Sequence, residues 1–226
     1  MGRRTEDPLT VGPPLALFDL DNTLLDRDAA FRRWADRFVD SEGLPSGAVG
    51  VIVGLDEDGL APRTGFFEAI LRSFDVEGTV DEHVARYRDE YPAGFALDLA
   101  TAEGLRSLRD AGWRIGVVTN GPLFQERKLE VTGLHDLIDG LCVSEDVGSN
   151  KPEPLIFEEA ARRCGTGLAG WMVGDSAAAD IRGGQAVGLR TIWMRRGRTW
   201  DLSSPPPDAE VDTPRQAIDL ILEVDT

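Results

Sequence analysis

The chain alternates short apolar runs with longer segments in which apolar residues recur every three or four positions. Five apolar runs end at polar or glycine-containing turns, at residues 15–20, 114–119, 141–144, 170–174 and 190–194. Helical patterns separate most of them, at residues 101–111, 123–131, 154–164 and 177–187. Because strands that alternate with helices form parallel sheets, this order predicts an α/β fold with a parallel sheet covered on both faces. A last helix is predicted over residues 214–224, with Thr213 as its N-cap.

The alternation is interrupted after the first predicted strand by roughly 75–80 residues that carry helical patterns and little strand character, far longer than an ordinary loop. Helices are predicted there at residues 28–39, 64–74 and 80–91. The segment 44–63 contains six glycines or prolines and is predicted to connect them. Ligands of open α/β sheets bind at the carboxyl ends of the strands, so an insertion at this point is expected to form a lid.

Composition and charge narrow the classes of partner. Of the 226 residues, 40 are acidic and 24 are Lys or Arg, which gives a net charge of -16 and a sequence pI near 4.5. Such a protein repels nucleic acid and anionic membranes, so neither is expected as a partner. An anionic substrate would therefore need local positive charge from a metal ion or a lysine.

The cysteines, the N-terminal segment and the apolar stretches of the chain indicate an ordinary globular protein. Cys142 and Cys164 lie far apart and are expected to be reduced, buried thiols. Residues 1–12 lack the apolar core of a signal peptide, and no stretch is apolar enough to span a membrane, so a cytoplasmic location is expected. The proline-rich segment 203–208 is predicted to be a surface loop. The sequence carries no indication of an oligomeric state.

Candidate chemistry begins at the end of the first predicted strand, with Asp19 and Asp21 on the same side of the strand. Two neighbouring carboxylates repel each other unless a cation or a shared proton holds them. The alternative interpretation is an Asp-Asn turn with solvated acids. A calcium loop is disfavoured, because its sixth position would be Leu24 instead of glycine and its twelfth Ala30 instead of glutamate.

Three further elements with candidate chemistry follow. The second strand ends in Thr119 and Asn120, a pair that by itself also suits a simple turn. Lys151 precedes a proline and, taken alone, is more often a solvated side chain. Asp175 ends the fourth strand, and Asp180 follows in the first turns of a helix, where interaction with the helix dipole is the alternative role.

The four elements together are far more specific than any one of them. Their order, Asp-x-Asp, Thr, Lys and Asp, at predicted strand ends, resembles the four motifs of the haloacid dehalogenase-like hydrolases, and the resemblance covers nearly the whole chain. It implies a Rossmann-like, doubly wound parallel sheet as a core domain in residues 1–25 and 100–226. It also implies a small all-helical cap domain of the C1 type, inserted after the first strand at residues 26–99.

The resemblance also implies a mechanism. Asp19 is expected to attack phosphorus and to form an aspartyl-phosphate, with Mg²⁺ as the cofactor. Asp19 and Asp175 would bind the ion through their side chains, and Asp21 through its backbone carbonyl. The side chain of Asp21 is then expected to serve as general acid and later as general base.

The other motif residues are expected to bind the substrate. By the resemblance, Thr119 would hydrogen-bond a phosphoryl oxygen, with backbone N–H groups near Asn22 and Asn120. Lys151 would supply positive charge to Asp19 and the transferring group, and Asp180 would orient Lys151 or a metal-bound water.

The expected activity is hydrolysis of a small phosphorylated metabolite. Asp21 favours a phosphatase over a dehalogenase, because dehalogenases of the family lack this aspartate. A phosphomutase stays open, and so, from a different class, does a phospho-acceptor signalling or binding protein without turnover. Receiver domains phosphorylate an aspartate with similar residues, but they lack the helical insertion and use adjacent acids.

Two sets of residues in the predicted cap are candidates for reading the rest of the substrate. The first consists of arginines that are expected to be solvated surface charges: Arg27, Arg33, Arg63, Arg86 and Arg88. The second consists of aromatic residues that are expected to form the core of the cap: Phe31, Trp34, Phe66 and Phe67.

Overall fold

The computed structural model describes residues 12–201 and 205–224. The chain divides into two compact units. The first contains the residues up to Leu24, Leu97–Gln125 and those from Leu134 onwards, and the second contains Leu25–Ala96 and Glu126–Gly133. The segment 126–133 was not part of the helical insertion that the sequence predicts.

The strands and helices of the described residues follow each other in the predicted alternation. The strands are β1 (Leu15–Phe18), β2 (Arg114–Thr119), β3 (Gly140–Val143), β4 (Gly170–Gly174), β5 (Arg190–Met194) and β6 (Ala209–Val211). The helices are α1 (Arg27–Ser41), α2 (Ala48–Leu55), α3 (Arg63–Ser73), α4 (Val80–Glu90), α5 (Leu99–Asp110), α6 (Gln125–Thr132), α7 (Ser144–Val147), α8 (Pro154–Arg163), α9 (Arg182–Ala186) and α10 (Pro214–Val224). Short 3₁₀ turns lie at Glu57–Gly59, Pro92–Gly94 and Leu134–Leu137, and a π turn at Ala177–Ile181 precedes α9.

The six strands form one parallel sheet in the order β3-β2-β1-β4-β5-β6. Strand β1 lies between β2 and β4, and Phe18 pairs with Val117 on one side and with Val173 on the other. The chain leaves β1 for one half of the sheet and later returns to build the other half. The carboxyl end of β1 is therefore the point at which strand order reverses, where ligands of such sheets bind.

Complete burial explains why the strand segments are apolar throughout. All four residues of β1 are buried, as expected for a strand of a parallel sheet with covered faces. Leu15 and Leu17 pack with Met172 of β4 and with the apolar face of α8, which includes Ile156 and Phe157. This packing fixes the sheet against its helices and confirms the predicted α/β fold.

The helical unit has an aromatic core. Trp34 of α1 packs against Phe38, against Phe66 and Phe67 of α3, and against Tyr87 of α4. Phe31, Trp34, Phe66 and Phe67 are each at most 2% exposed, so the prediction that these aromatics form a core is confirmed. Offset and edge-to-face contacts of this kind stabilise a small helical unit beyond the area that they bury.

The expectation of solvated arginines is wrong for Arg27 and Arg63. Arg27 is buried and forms an ion pair with Asp56, which is itself only 1% exposed. The Arg63 side chain is 22% exposed, lies 2.7 Å from the other Asp56 oxygen and sits over the ring of Tyr87. Because an isolated buried charge is costly, these groups compensate one another, and the helical pattern alone could not show the pairing. Arg88 is exposed, as expected.

The structure differs from the predicted elements in three places. The connecting segment 44–63 contains α2, whose Ile52 is buried although three glycines flank and interrupt the helix. The predicted helix 177–187 begins with the π turn, since the Ser176 side chain accepts from Ala179 N and the Asp180 carboxylate accepts from Ser176 N. Strand β6 is only three residues long, too short for an apolar period to indicate it.

Two expectations concern residues at the edges of the described ranges. The N-terminal prediction falls on residues 1–12, of which 1–11 lie outside the described residues. Within the predicted loop 203–208, residues 203 and 204 also lie outside, and 205–207 are irregular. Among the described helices, none has the length and apolar character that crossing a membrane requires.

Both cysteines are expected to resist thiol reagents in the native protein. Cys142 and Cys164 are free thiols, 0% and 3% exposed, and burial raises their pKa values to about 11 and about 12. The reactive thiolate is therefore scarce at pH 8, and access to it is blocked. Ellman's reagent should detect no thiol in the native protein within minutes and two after unfolding in guanidinium chloride. Rapid native labelling of either cysteine would contradict the packing of α8 on β3.

Candidate active site

Three of the predicted site residues lie where the central strands end. Asp19 follows β1, and its backbone N–H donates to Val173 O at 2.9 Å. Thr119 is the last residue of β2, and Asp175 directly follows β4. Because β1 lies between β2 and β4, the sheet brings residues far apart in sequence to one edge.

Lys151 lies between two carboxylates at this edge. Its ammonium nitrogen is 2.6 Å from Asp19 Oδ1, 2.7 Å from Asp180 Oδ1 and 2.7 Å from the carbonyl oxygen of Val118. All three charged residues are buried, at 5% exposure for Lys151, 8% for Asp19 and 1% for Asp180. A lysine that precedes a proline is thus neither solvated nor exposed here, because the fold surrounds it with acceptors.

Asn120 holds the backbone of Lys151 in place. Its side-chain nitrogen donates to Lys151 O at 3.0 Å, and its side-chain oxygen accepts from Lys151 N at 2.8 Å. The peptide bond between Lys151 and Pro152 is cis. The sequence placed Asn120 near the substrate through its backbone only, so this side-chain role was missed, and no spacing signal indicates it.

Asp180 is fixed by the turn that contains it. Its Oδ2 accepts from the backbone N–H of Ser176 at 2.9 Å, while Oδ1 faces Lys151. The carboxyl group lies against Gly174, where a β-carbon would be only 2.3 Å from it. Glycine at this strand end therefore leaves the space that the buried carboxylate occupies.

The electrostatics of the cluster favour an added positive charge. Burial raises the pKa of Asp19 to about 7, because the loss of hydration outweighs the attraction of Lys151 and Asp180 adds repulsion. Burial, followed by the charge of Asp180, raises the pKa of Asp175 to about 6 against the opposing charge of Arg198. For Lys151, burial disfavours the ammonium, but the charges of Asp180 and Asp19 outweigh it and raise the pKa.

Three carboxylates of the cluster could hold a metal ion. One oxygen from each of Asp19, Asp175 and Asp180 lies within 4.8 Å of the other two. Carboxylate oxygens are the ligands that Mg²⁺ and Ca²⁺ prefer, and a cation would relieve the repulsion among the three groups. The donor set thus fits a divalent cation. Asp19 and Asp175 were predicted as ligands, and Asp180 was predicted as a supporting residue.

The second carboxylate of the Asp-x-Asp pair has different partners. Asp21 Oδ2 accepts from the side-chain nitrogen of Gln125 at 2.9 Å, and the same nitrogen lies 3.0 Å from Thr119 Oγ1. Gln125 is 4% exposed, at the start of α6. Its amide therefore links two predicted site residues. Gln125 was not predicted as a site residue, because a glutamine at the start of a helix carries no spacing signal of its own.

Asp175 is held from the side of β5. Its backbone oxygen accepts from Trp193 Nε1 at 2.9 Å and from Arg198 at 2.7 Å, and Arg198 is also 3.2 Å from its carboxylate. The guanidinium group of Arg198 lies over the Trp193 ring. Neither residue was indicated by the sequence, since both belong to the adjacent strand and the turn after it.

Asn22 adopts the left-handed conformation, with φ 63°, immediately after Asp21. Asparagine tolerates this region better than most residues, so the turn after β1 forms without glycine. The predicted role of the backbone N–H groups near Asn22 and Asn120 stays a prediction.

The sequence of this chain is similar to a known protein family and to individual relatives. The family described as haloacid dehalogenase-like hydrolase matches residues 14–188, which is most of the chain. A glyceraldehyde 3-phosphate phosphatase from Methanopyrus kandleri is 38% identical over 126 residues, which cover 53% of this chain and 54% of the relative. The chain thus spans about half the length of that relative.

Two solved structures are similar over nearly the full length of both chains. The HAD-hydrolase YfnB from Bacillus subtilis, bound to magnesium, is 26% identical, with a TM-score of 0.71 over 93% of this chain and 99% of that one. A 2-haloacid dehalogenase from Pseudomonas syringae pv. Tomato DC3000 is 28% identical, with a TM-score of 0.63 over 94% and 99%. One similar structure is thus a dehalogenase and one relative in sequence is a phosphatase, so the fold alone does not identify the reaction and the site residues must.

Replacing Gly174 by alanine should displace Asp180. The added β-carbon would lie 2.3 Å from the Asp180 carboxyl group, which is tied to Lys151 and Ser176 and has little freedom to move. Overpacking of this kind costs about 1–3 kcal/mol, which urea denaturation would measure as a lower free energy of unfolding. The matched control is Gly167→Ala, where an added β-carbon meets nothing within 4 Å. Equal stability of the two variants would contradict the close contact at Gly174.

Proposed function

We propose that this chain, which belongs to the haloacid dehalogenase-like hydrolase family, is a phosphatase that hydrolyses a small phosphomonoester with Asp19 as nucleophile. The observation that carries the proposal is the contact of Lys151 with Asp19 at 2.6 Å and with Asp180 at 2.7 Å, at the carboxyl end of β1. Phosphoryl transfer depends on positioning and on neutralising charge, and this cluster combines a nucleophile with a fixed cation. The similarity to a phosphatase supports the same reaction class.

The proposed reaction has two steps. Asp19 attacks phosphorus, the bond between phosphorus and the alcohol oxygen breaks, and Asp21 gives a proton to that oxygen. Asp21 then takes a proton from water, the water oxygen attacks phosphorus, and Asp19 is released together with inorganic phosphate. The covalent route replaces one difficult displacement by two easier ones, and a single carboxyl group serves as acid and then as base.

The proposal includes Mg²⁺, with Asp19 and Asp175 as side-chain ligands and Asp21 as a ligand through its backbone carbonyl. When bound, the ion would neutralise negative charge on the phosphate and on the nucleophile, so that one anion can approach the other. The fit of the carboxylate group to a divalent cation supports this assignment.

The neighbouring residues bind the phosphoryl group and orient the charged side chains of the site. Lys151 supplies a fixed positive charge next to Asp19, and Asp180 holds the lysine in position. Thr119 donates its hydroxyl hydrogen to a phosphoryl oxygen, with help from backbone N–H groups near Asn22 and Asn120. The acidic protein would in this way present local positive charge to an anionic substrate.

Asp21 favours phosphoester hydrolysis over dehalogenation. A halide leaves without a proton, whereas an alkoxide leaving group needs one. The bond from Gln125 to the Asp21 carboxylate supports a role for this side chain in the site. We therefore expect phosphomonoesters, and not haloacids, to be turned over.

Asp19→Asn should abolish phosphate release. The proposed substrates are sugar phosphates including glyceraldehyde 3-phosphate, phosphoglycolate-like acids and nucleoside monophosphates. A panel of these should release phosphate only with Mg²⁺, and Asp19→Asn should lower kcat/KM by about 10³-fold or more, because the nucleophile is gone. Asp110→Asn, an exposed aspartate at the end of α5, is the control and should stay within about twofold.

The other outcomes of this assay are also informative. Stoichiometric labelling of Asp19 by acetyl phosphate without turnover would contradict the phosphatase proposal and favour a phospho-acceptor protein. Isomerised product without phosphate release would favour a phosphomutase. Phosphate release at the wild-type rate by Asp19→Asn would refute the assigned nucleophile.

Mg²⁺ should also stabilise the protein without substrate. At a concentration 100 times the dissociation constant, ligand binding adds about 2.7 kcal/mol, which corresponds to a rise in Tm of roughly 5–10 °C for a chain of this size. Asp175→Asn should remove most of this shift, because one carboxylate ligand is lost, whereas Asp110→Asn should keep it. Thermal unfolding with and without Mg²⁺ measures both. An equal shift in Asp175→Asn would exclude Asp175 as a ligand.

A further inference from the structure

We propose that Gln125 is a positioning residue that holds the Asp21 carboxyl group for proton transfer to the leaving group. The inference rests on the proposed phosphatase function and adds a residue to it. It starts from one buried amide that contacts both Asp21 and Thr119.

The orientation of the Gln125 amide follows from its partners. An ionised carboxylate only accepts hydrogen bonds, so the NH₂ end of the amide must face Asp21. The Nε2 atom is 2.9 Å from Asp21 Oδ2 and 3.0 Å from Thr119 Oγ1, so each of its two hydrogens has an acceptor. With 4% of Gln125 exposed, water competes little for these bonds.

The first consequence concerns Asp21, which is only partly buried. An aspartate at the end of a strand can adopt several rotamers, and only some of them would direct a proton to the leaving group. The hydrogen bond from the Gln125 amide to Oδ2 favours the rotamers in which this oxygen faces Gln125. A carboxyl group that is fixed in this way needs less reorientation before it transfers the proton, so the rate of proton transfer is higher.

The second consequence concerns the anchor of the amide. Thr119 is 1% exposed and ends β2, so its hydroxyl is a rigid point of attachment. Since Thr119 Oγ1 accepts from Gln125, its single hydrogen is left to donate elsewhere, in keeping with its proposed bond to a phosphoryl oxygen. One side chain thus couples the proposed proton donor to the proposed phosphate-binding residue.

The backbone around Gln125 leaves room for this arrangement. Gly121 has φ +151°, and a β-carbon there would lie 3.2 Å from Gln125 Nε2. The Gly121 N–H donates to Ser144 Oγ at 3.0 Å, and the Gln125 N–H donates to Pro122 O at 3.0 Å. Hydrogen bonds of Gly121 and of the Gln125 backbone thus fix the turn between β2 and α6. The fixed turn holds the Gln125 side chain at the edge of the sheet.

The test compares substrates whose leaving groups differ in acidity. An alkyl phosphate needs a proton on its leaving oxygen, whereas 4-nitrophenyl phosphate needs it much less. Gln125→Met keeps the length of the side chain and removes both hydrogen bonds. We expect kcat on an alkyl phosphate to fall about 10- to 100-fold, and the preference for 4-nitrophenyl phosphate in kcat/KM to rise at least about tenfold. An equal loss on both substrates would overturn the proposal, because a structural or phosphate-binding role affects both alike.

A double-mutant cycle tests whether Gln125 acts through Asp21. In an Asp21→Asn background, Gln125→Met should lower alkyl phosphate turnover by less than about twofold, because the group that Gln125 positions no longer transfers protons. If Gln125→Met lowers alkyl phosphate turnover as much in the Asp21→Asn background as in the wild type, the proposal is also overturned. Gln125→Leu is the second variant, since it also removes both donor hydrogens and should raise the same preference.

The matched control is Gln185→Met. The Gln185 amide also lies near a threonine, 3.5 Å from Thr191 Oγ1, and donates to Pro206 O at 2.8 Å, but neither partner belongs to the proposed site. Its leaving-group preference should equal that of the wild type. If the wild type releases no phosphate from any substrate, the proposed function fails. If it does and Gln125→Met shows no change in preference, only the inference about Gln125 fails.

Discussion

The ammonium group of Lys151, buried between Asp19 and Asp180, is the interaction on which the rest of the site depends. A buried charge is tolerated only where its partners are fixed, because removing either leaves the other uncompensated. The neighbouring residues supply this fixation: Asn120 binds the lysine backbone on both sides, and the Ser176 N–H holds Asp180. Burial, followed by repulsion from the neighbouring carboxylates, raises the pKa values of Asp19 and Asp175, and a cation would offset both effects.

Sheet topology brings this cluster together. With β1 between β2 and β4, the strand that carries Asp19 has one neighbour that ends at Thr119 and another that leads into Asp175. The connection after β1 leads to β2 on one side, and the connection after β4 leads to β5 on the other, so the two loops separate at this end of the sheet and leave space for a ligand. The apolar core around α8 fixes the strands in register, and the reactive groups are therefore positioned by a rigid sheet.

Two carboxylates only two residues apart have different surroundings. Asp19 is buried and paired with an ammonium group, which suits a nucleophile that must stay in place. Asp21 is less buried and accepts a hydrogen bond from the neutral amide of Gln125, which suits the acid and base role proposed for it. The proposed division of roles within this Asp-x-Asp pair thus rests on the different partners that β2, α6 and the Lys151 segment present to each side chain.

The sequence by itself determined the parallel α/β core and the four candidate motifs, because apolar runs that end in Asp, Thr or Gly are local patterns. It also determined the aromatic core of the helical unit from the spacing of Phe31 and Trp34. Only the tertiary structure decided that Lys151 is buried, that Arg27 pairs with Asp56, and that Gln125 contacts Asp21. These contacts join residues up to 132 positions apart, and no periodicity records which side chains a folded sheet brings within 3 Å of each other.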